Sequence, residues 1–431
     1  MNQMRGEQSI CFEQPVPILS SASVVGKKEG EGPLGSCFDC IQEDPTFGED
    51  NWESAESAMQ KEVMERALAK AGIRKEDLRM IFSGDLQAQS VASSFGLQEL
   101  GRPVYQLYGA CSTMGEALGL AAMAVAGGYA LYAGAVTSSH FASAEKEFRF
   151  PLEYGNQRPL SATWTVTGSG ACILGGGKKK AAVTGVTSGR IIDYGYKDSL
   201  NMGACMAPAA CDTICHNLRD FGYGPEEYDQ IITGDLGEVG QTILLDLLRK
   251  EGIDLEGRHS DCGLLIFDNE KQDTHSGGSG CGCSAAVFAS YILPKIERGE
   301  WKKVLFLPTG ALLSKVSYNE GRTIPGIAQG VIVECLEELM PGRIMVLLVC
   351  TGVVLSFLGV YQPLLDYAGA GVSVPLIGFG NILWRGVEQA VLQHGILGLF
   401  MGGFQACAVG VSAALIFSYL ASLVFKPKMK E

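Results

Sequence analysis

The sequence has no basic stripe, no paired metal-ligand spacing and no apolar leader, and each absence removes a class of function. Its formal net charge is −13 over 431 residues. Nucleic-acid binding rests on clustered cations facing phosphates, so that balance speaks against such a partner. No apolar run of adequate length follows Arg5 in "MNQMRGEQSICFEQPVPILS". No secretory signal is therefore expected, and residues 1–343 are expected to stay in the cytosol. The fourteen cysteines are scattered, mostly inside apolar runs, as in a reducing compartment. Cys37 and Cys40 form a lone C-x-x-C without a second pair. Zinc needs four ligands, or three and a water, so no metal is expected. Cys211 and Cys215 stand at helical spacing beside His216, and buried small side chains on one helix face explain them better than ligands do.

What is present divides sharply at Met340-Pro341-Gly342. From Ile344 onward, Arg385, Lys426, Lys428 and Lys430 stand against Asp366, Glu388 and Glu431. The acidic excess therefore belongs to the first part, and the chain is too long for one ordinary domain. Residues 1–338 and 339–431 are read as separate domains. Within the first, "IFSGDLQAQS" (81–90) and "IITGDLGEVG" (231–240) are near copies 150 residues apart. A second pair follows in the same order. "YGACSTMGEALGLAAMAVAGG" with its following strand matches "SGCGCSAAVFASYILPKIERGEW" with its own, and Cys111 answers Cys283. Alternating strands and helices in two such units, about 1–180 and 181–338, predict a duplicated α/β body. The apolar runs "YALYAG" and "KVLFLPTG" read as strands covered on both faces. "NWESAESAMQKEVMERALAKAG" reads as an amphipathic helix stopped by Gly72. "EVGQTILLDLLRKEG" is its counterpart, stopped by Gly252.

At Cys111 a strand, "RPVYQLYG", runs into a small-residue helix over 112–126. A cysteine at such a join, inside a duplicated α/β body, resembles the thiolase superfamily of condensing enzymes. The resemblance implies a five-layer α/β/α/β/α arrangement. Longer motifs sharpen it: "GPLG", "GACST", "TSSHFASAEKEFRFPLEYG", "TVTGSGA", "NMGACMAPAACDTI", "TGDLGEVG", "HSDCGLLIF", "GGSGCGCSA" and "TGALLS". In this order they resemble the stage V sporulation protein AD family. That family is a non-enzymatic thiolase-fold group of spore-forming Firmicutes. The resemblance implies binding of dipicolinic acid, with or without calcium, for its uptake during sporulation and its release in germination. It also implies partners among the other stage V sporulation A membrane proteins. A homodimer along an edge strand is expected from the fold alone.

A catalytic Cys111 would need a base and oxyanion donors. In condensing enzymes the base is a His at the second-repeat turn, with an Asn or second His further on. Here that turn reads Thr233-Gly234-Asp235, and the later motif offers Gly and Cys. His140, His216, His259 and His275 lie outside the matching motifs. An Asp close to Cys111 would raise the thiol pKa, which opposes catalysis. The expectation is therefore a ligand pocket without an enzyme or a cofactor. The rival is an acyl-transfer enzyme using Cys111, and the bland alternative is a buried small cysteine. The helix start at Ser112 offers backbone N–H groups to an anion. Small residues around it would let a flat dianion approach. Thr137, Ser138 and Ser139 could take a second carboxylate. His140 could donate to the ligand or cap the strand end. Arg149 and Arg158 are candidate carboxylate clamps, with surface pairing to Glu145, Glu147 or Glu153 the stronger expectation. Asp85 and Asp235 are expected to bond their own turns.

The tail carries uncharged runs of 18 residues (344–361) and 31 residues (395–425). Both are long enough to be read as membrane spans. Residues 367–384, broken by glycines and Pro375, are expected to dip in without crossing. Gly398, Gly402, Ala406 and Gly410 have a spacing suited to close helix contact. The tail resembles the stage V sporulation protein AE family, without that family's usual first membrane helix. That implies a fusion of neighbouring components, or a frame-altered gene. Clustered lysines at the end predict both ends of the tail inside. The expected location is the spore (forespore) inner membrane, with the body on the cytoplasmic side.

Overall fold

Asn51 accepts the Ser54 N–H (2.9 Å) and starts helix α1, Trp52–Ala71, which Gly72 ends in a left-handed cap at φ 67°. The expected helix and its Gly72 stop are present, but Glu56 and Gln60 are buried with the apolar side chains, so its inner face is mixed rather than apolar. The computed structural model describes residues 3–148, 158–177, 179–336, 341–368, 376–398, 401–402 and 405–406. The chain forms two compact units, 1–336 and 337–431.

In the first unit ten strands follow one continuous path. They are β1 (Ser9–Gly26), β2 (Met80–Gly84), β3 (Val104–Leu107), β4 (Tyr132–Ser139), β5 (Gly168–Gly175), β6 (Ala181–Thr187), β7 (Gln230–Thr233), β8 (His259–Asp261), β9 (Lys303–Leu307) and β10 (Gly330–Cys335). Their spatial order is β8-β7-β9-β10-β6-β1-β5-β4-β2-β3. Read outward from the β6–β1 junction, both halves run in the same sequence, so the duplication is visible in the topology. The long β1 pairs with β6 through its first part and with β5 through its second. The strand after the Gly127-Gly128 break begins at Tyr132 rather than Tyr129. The N–H groups of Tyr129 and Ala130 both bond Ala124 O, closing the preceding helix, and leave Tyr129 and Leu131 exposed.

Two central helices lie between the halves of the sheet. They are α3, Thr113–Ala126, and α7, which starts at Cys281–Val287 and continues through a π-turn (Phe288–Ile292) to Leu293–Glu297. Met114, Ala117, Leu118 and Ala121 of α3 share one core with Val287, Phe288 and Ile292 of α7. Helix α1 and helix α2 (Val91–Leu97) cover the first half from outside. Helices α5 (Met202–Phe221) and α6 (Gly237–Lys250) cover the second. Between β4 and β5 lies α4 (Phe141–Phe148). Cys111 and Cys283, expected at equivalent helix starts, do not match in position: Cys111 precedes α3 by two residues, whereas Cys283 is the third residue of α7. Cys281, however, is the residue that packs against Cys111, with Leu86 and Ala144.

The second unit contains α8 (Pro341–Phe357), α9 (Tyr361–Ala368) and α10 (Leu376–His394). Among the described residues no single helix is long and apolar enough to cross a membrane. The pair Met345–Phe357 and Tyr361–Ala368, bent by 103°, passes by length and composition together. The piece expected to dip in at 367–384 is divided differently. Residues 369–375 lie outside the described residues, and from Leu376 α10 runs on through Arg385 and Glu388. Gly352 and Gly380 let α8 and α10 touch: a Cβ on Gly352 would lie 2.0 Å from Ile377 O. Ser356 Oγ donates to Asn381 Oδ1 (2.9 Å) across that contact. Gly398, Gly402 and Ala406 meet Ala390 and Gly386 as their spacing suggested. Gly410 and most of the second expected span, 398–424, lie outside the described residues.

Candidate functional site

Cys111 sits in a tight turn, Ala110–Ser112, between β3 and α3. Ala110 takes a left-handed φ of 53°. Gln89 and Ser90, just beyond Leu86 on the facing wall, are left-handed too (61° and 53°). Such backbone is costly for residues with a Cβ, and it persists only where the surroundings enforce it.

The thiol is buried beside the carboxylate of Asp235, whose charge acts on it. Asp235 Oδ1 accepts from Thr309 Oγ1 (2.8 Å), and Oδ2 accepts from the Gly280 N–H (3.0 Å). Asp235 therefore does not serve its own turn, contrary to expectation. That turn is held by Asp261, which accepts from the N–H groups of Leu236 (2.9 Å) and Gly237 (3.2 Å). Burial pushes Asp235 up to about 7. Burial, then the Asp235 charge, pushes the Cys111 thiol well above its ordinary value. A nucleophilic cysteine requires the opposite shift.

Cys111 lines a narrow cleft with Leu86, Glu145, Phe148, Thr165, Ser279 and Leu313 among its neighbours. Its free volume is about 30 Å³, room for about two waters. A wider hollow of about 230 Å³, bordered by Lys315 and Tyr318, shares Phe148 and Leu313 with it. These two side chains separate the hollow from the thiol.

Of the residues proposed from sequence to bind ligand, only Cys111 lines the cleft. Ser112 donates to Gly109 O (2.8 Å). The backbone at Gly310 fills the approach to the α3 start, since a Cβ there would lie 2.4 Å from Gly109 O. Thr137 donates to Cys281 O (2.9 Å). Ser138 donates to Glu56 Oε1 (2.9 Å) and accepts from Gln60 (3.0 Å). Ser139 donates to Val166 O (2.7 Å). His140 accepts the Ala142 N–H at Nδ1 (3.2 Å), so Nε2 donates to Pro45 O (2.8 Å), and its ring stacks on Trp52. Strand β4 is covered on both faces, so its polar side chains are spent on internal partners. His216, His259 and His275 are likewise bonded elsewhere, to Asp212 O, Gln241 and Pro159 O. Sequence reasoning missed Glu145, Phe148, Thr165, Ser279 and Leu313. Ser279 lies within the quoted "GGSGCGCSA" motif, whereas nothing in the local pattern singles out Phe148 or Leu313. Among the described residues no group of three or more His, Cys, Asp or Glu could hold a metal.

The chain matches the stage V sporulation protein AD family over residues 6–334. It is 40% identical over 332 residues to "Stage V sporulation protein AD" of Bacillus subtilis (strain 168), which covers 77% of this chain and 98% of that one. The chain belongs to the stage V sporulation protein AD family. Overlapping the end of that match, residues 304–424 match the SpoVAC/SpoVAEB sporulation membrane protein family. Among solved structures, a His-to-Asn variant of Xanthomonas campestris OleA aligns with a TM-score of 0.50 at 14% identity, covering 75% of this chain and 99% of that one. The 3-oxoacyl-(acyl-carrier-protein) synthase III of Aquifex aeolicus aligns with a TM-score of 0.46 at 14% identity, covering 74% and 99%. The likeness to OleA is one of fold. In this member of the sporulation protein AD family, the thiolase-like body thus carries a Cys–Asp pair at its central helix.

Proposed function

We propose that the protein is a non-enzymatic dipicolinate-binding subunit of a spore membrane transport complex, and that the ligand enters at Cys111. The observation that carries this reading is the buried Asp235 carboxylate beside Cys111, which with burial raises the thiol. A thiol held protonated by a buried carboxylate is a poor nucleophile, yet the strained, cleft-forming architecture around it is retained. Thr165 and Ser279 add hydroxyls at the wall. The 30 Å³ cleft is too small for a planar aromatic dicarboxylate. Binding therefore requires Phe148 and Leu313 to part and join it to the outer hollow.

Calcium would enter with the ligand. The tail would hold the body at the cytoplasmic face of the spore inner membrane, beside other stage V sporulation A proteins, with both tail ends inside. Residues 1–338 would be the binding domain and 339–431 the membrane domain. The exposed edge strand β3, with Tyr105 and Tyr108 about half exposed, would join two copies. Lys428→Cys labelled by an impermeant reagent from outside intact cells would overturn the two-span topology.

The deciding experiment is calorimetric titration of the full chain in detergent with dipicolinate, with and without calcium. Saturable binding weakened about tenfold or more by Cys111→Leu, which fills the cleft, is the expected outcome. Thioester turnover of acyl-coenzyme A that Cys111→Ala abolishes would replace this reading with the acyl-transfer one.

A further inference from the structure

Arg158 packs on an aromatic ring; Arg149, the other candidate clamp, and Glu153, one of the expected surface partners, lie outside the described residues. The Arg158 guanidinium lies over the Trp164 ring, 4.7 Å from the centroid, and Nη2 donates to Asp273 O (2.6 Å). Lys28, from a distant part of the chain, brings its Nζ to 3.9 Å from the same ring and donates to Gln272 O (2.6 Å). Two cations therefore converge on one indole. The ring can offset part of their repulsion through its quadrupole, but it supplies no charge. Among the described residues Asp273, Glu29 and Glu31 stand near, and none hydrogen-bonds either cation through its carboxylate. Asp273 approaches Arg158 only to 3.8 Å and is largely exposed. Glu29 Oε1 accepts the Thr167 N–H (3.0 Å). Arg158 Nη1 is buried and has no hydrogen-bond partner among the described residues. A guanidinium donor left buried and unpaired is costly, and native structures rarely tolerate it without a reason.

We propose that Lys28 and Arg158, held against Trp164, form a binding site for a small oxyanion, a carboxylate or a phosphate group. The planar guanidinium fork suits both. The Lys28 ammonium is pulled below its ordinary value by burial and by the Arg158 charge, and a bound anion relieves both. The cluster is half-buried rather than sealed: the Arg158 side chain is 16% exposed. It also stands close to the Cys111 cleft. Trp164 and Thr165 pair with Gly278 and Ser279 as a two-stranded ribbon. Thr165 and Ser279 line the cleft, and adjacent strand residues face opposite sides. The oxyanion site is thus the other face of the cleft wall. It does not depend on dipicolinate being the ligand at Cys111.

The test is tryptophan emission of the full chain in detergent, titrated with inorganic phosphate and separately with acetate at constant ionic strength. A saturable change is expected, absent in Trp164→Phe and shifted about tenfold or more to higher anion concentration in Arg158→Gln. A response to both anions assigns a general oxyanion site, and a response to one narrows it to phosphate or carboxylate. Lys28→Gln, at a half-exposed residue, gives the same readout if Arg158→Gln does not fold. No saturable change with either anion, or a change unaffected by both charge-removing variants, overturns the proposal.

Discussion

Asp85 and Asp235 follow equivalent strands, β2 and β7, in motifs 150 residues apart, yet they serve different halves of the molecule. Asp85 stays at home. Its Oδ1 accepts the Gln87 N–H (2.9 Å), and its Oδ2 accepts the Ser93 N–H (2.9 Å) and Oγ–H (2.7 Å). Asp235 reaches Cys111 in the first half, with Gly280 and Thr309 as its other partners. The difference has a visible cause. In the second half Asp261, at the end of β8, takes over the turn, accepting from Thr233 Oγ1 (2.6 Å) as well as from the two backbone N–H groups. A duplicated turn needs one carboxylate to tie it. Once another supplies that anchor, the turn's own Asp is released to build a site.

The comparison breaks most visibly in stability. Asp85→Ala and Asp235→Ala should each cost about 3 kcal/mol in urea unfolding of the body, because each strands several buried donors. Only Asp235→Ala should alter the reactivity of Cys111. If Asp85→Ala changes it equally, the two turns are not functionally distinct.

The next effect is on pH dependence. Burial raises Glu29 and Asp235 to about 7, and burial with the Asp85 charge raises Glu56 to about 8. Raised folded values mean that the stability they contribute is full below about pH 4, where both states are protonated, and is lost as pH rises through 7 to 8. The melting temperature should fall by several degrees between pH 5 and pH 8.5. Asp235→Asn should remove part of that fall, whereas a flat profile would contradict the buried-acid assignment.

A smaller effect concerns the thiol itself. Asp235→Asn removes the negative charge beside Cys111, so alkylation of that thiol by a maleimide at pH 8 should speed up by about tenfold, one pKa unit. Mass spectrometry of the modified peptide reads it, and an unchanged rate would place Asp235 out of contact. Smallest is Phe148→Ala. It should open the outer hollow to the thiol and raise the same rate a few-fold at pH 8, while Phe95→Ala on the far surface should not.

Much of the fold was legible. Gly72 marked the end of α1, Gly127 and Gly128 ended α3, and the "GDL" copies revealed the duplication, because breaks and repeats are local. Tyr132 rather than Tyr129 began its strand, because the Gly127-Gly128 turn binds the next two N–H groups back onto α3. The site was less legible. Thr137, Ser138 and His140 stand in a motif that resembles a ligand strand, but burial on both faces commits them to Cys281, Glu56 and Pro45. Leu313 and Phe148, which close the cleft, carry no local signal, since they meet only after two loops from different halves converge.

By itself the sequence determined the duplicated α/β plan, the division near residue 340, the cysteine at the head of a small-residue helix and the Asp, Asp235, at the second-repeat turn. These are properties of neighbouring residues and of patterns repeated along the chain. Only the tertiary structure decided which carboxylate faces Cys111, which hydroxyls are already spent, how narrow the cleft is and that Lys28 and Arg158 share one indole. Those outcomes depend on which groups, far apart in the chain, compete for the same donors and the same space when the two halves close on their central helices.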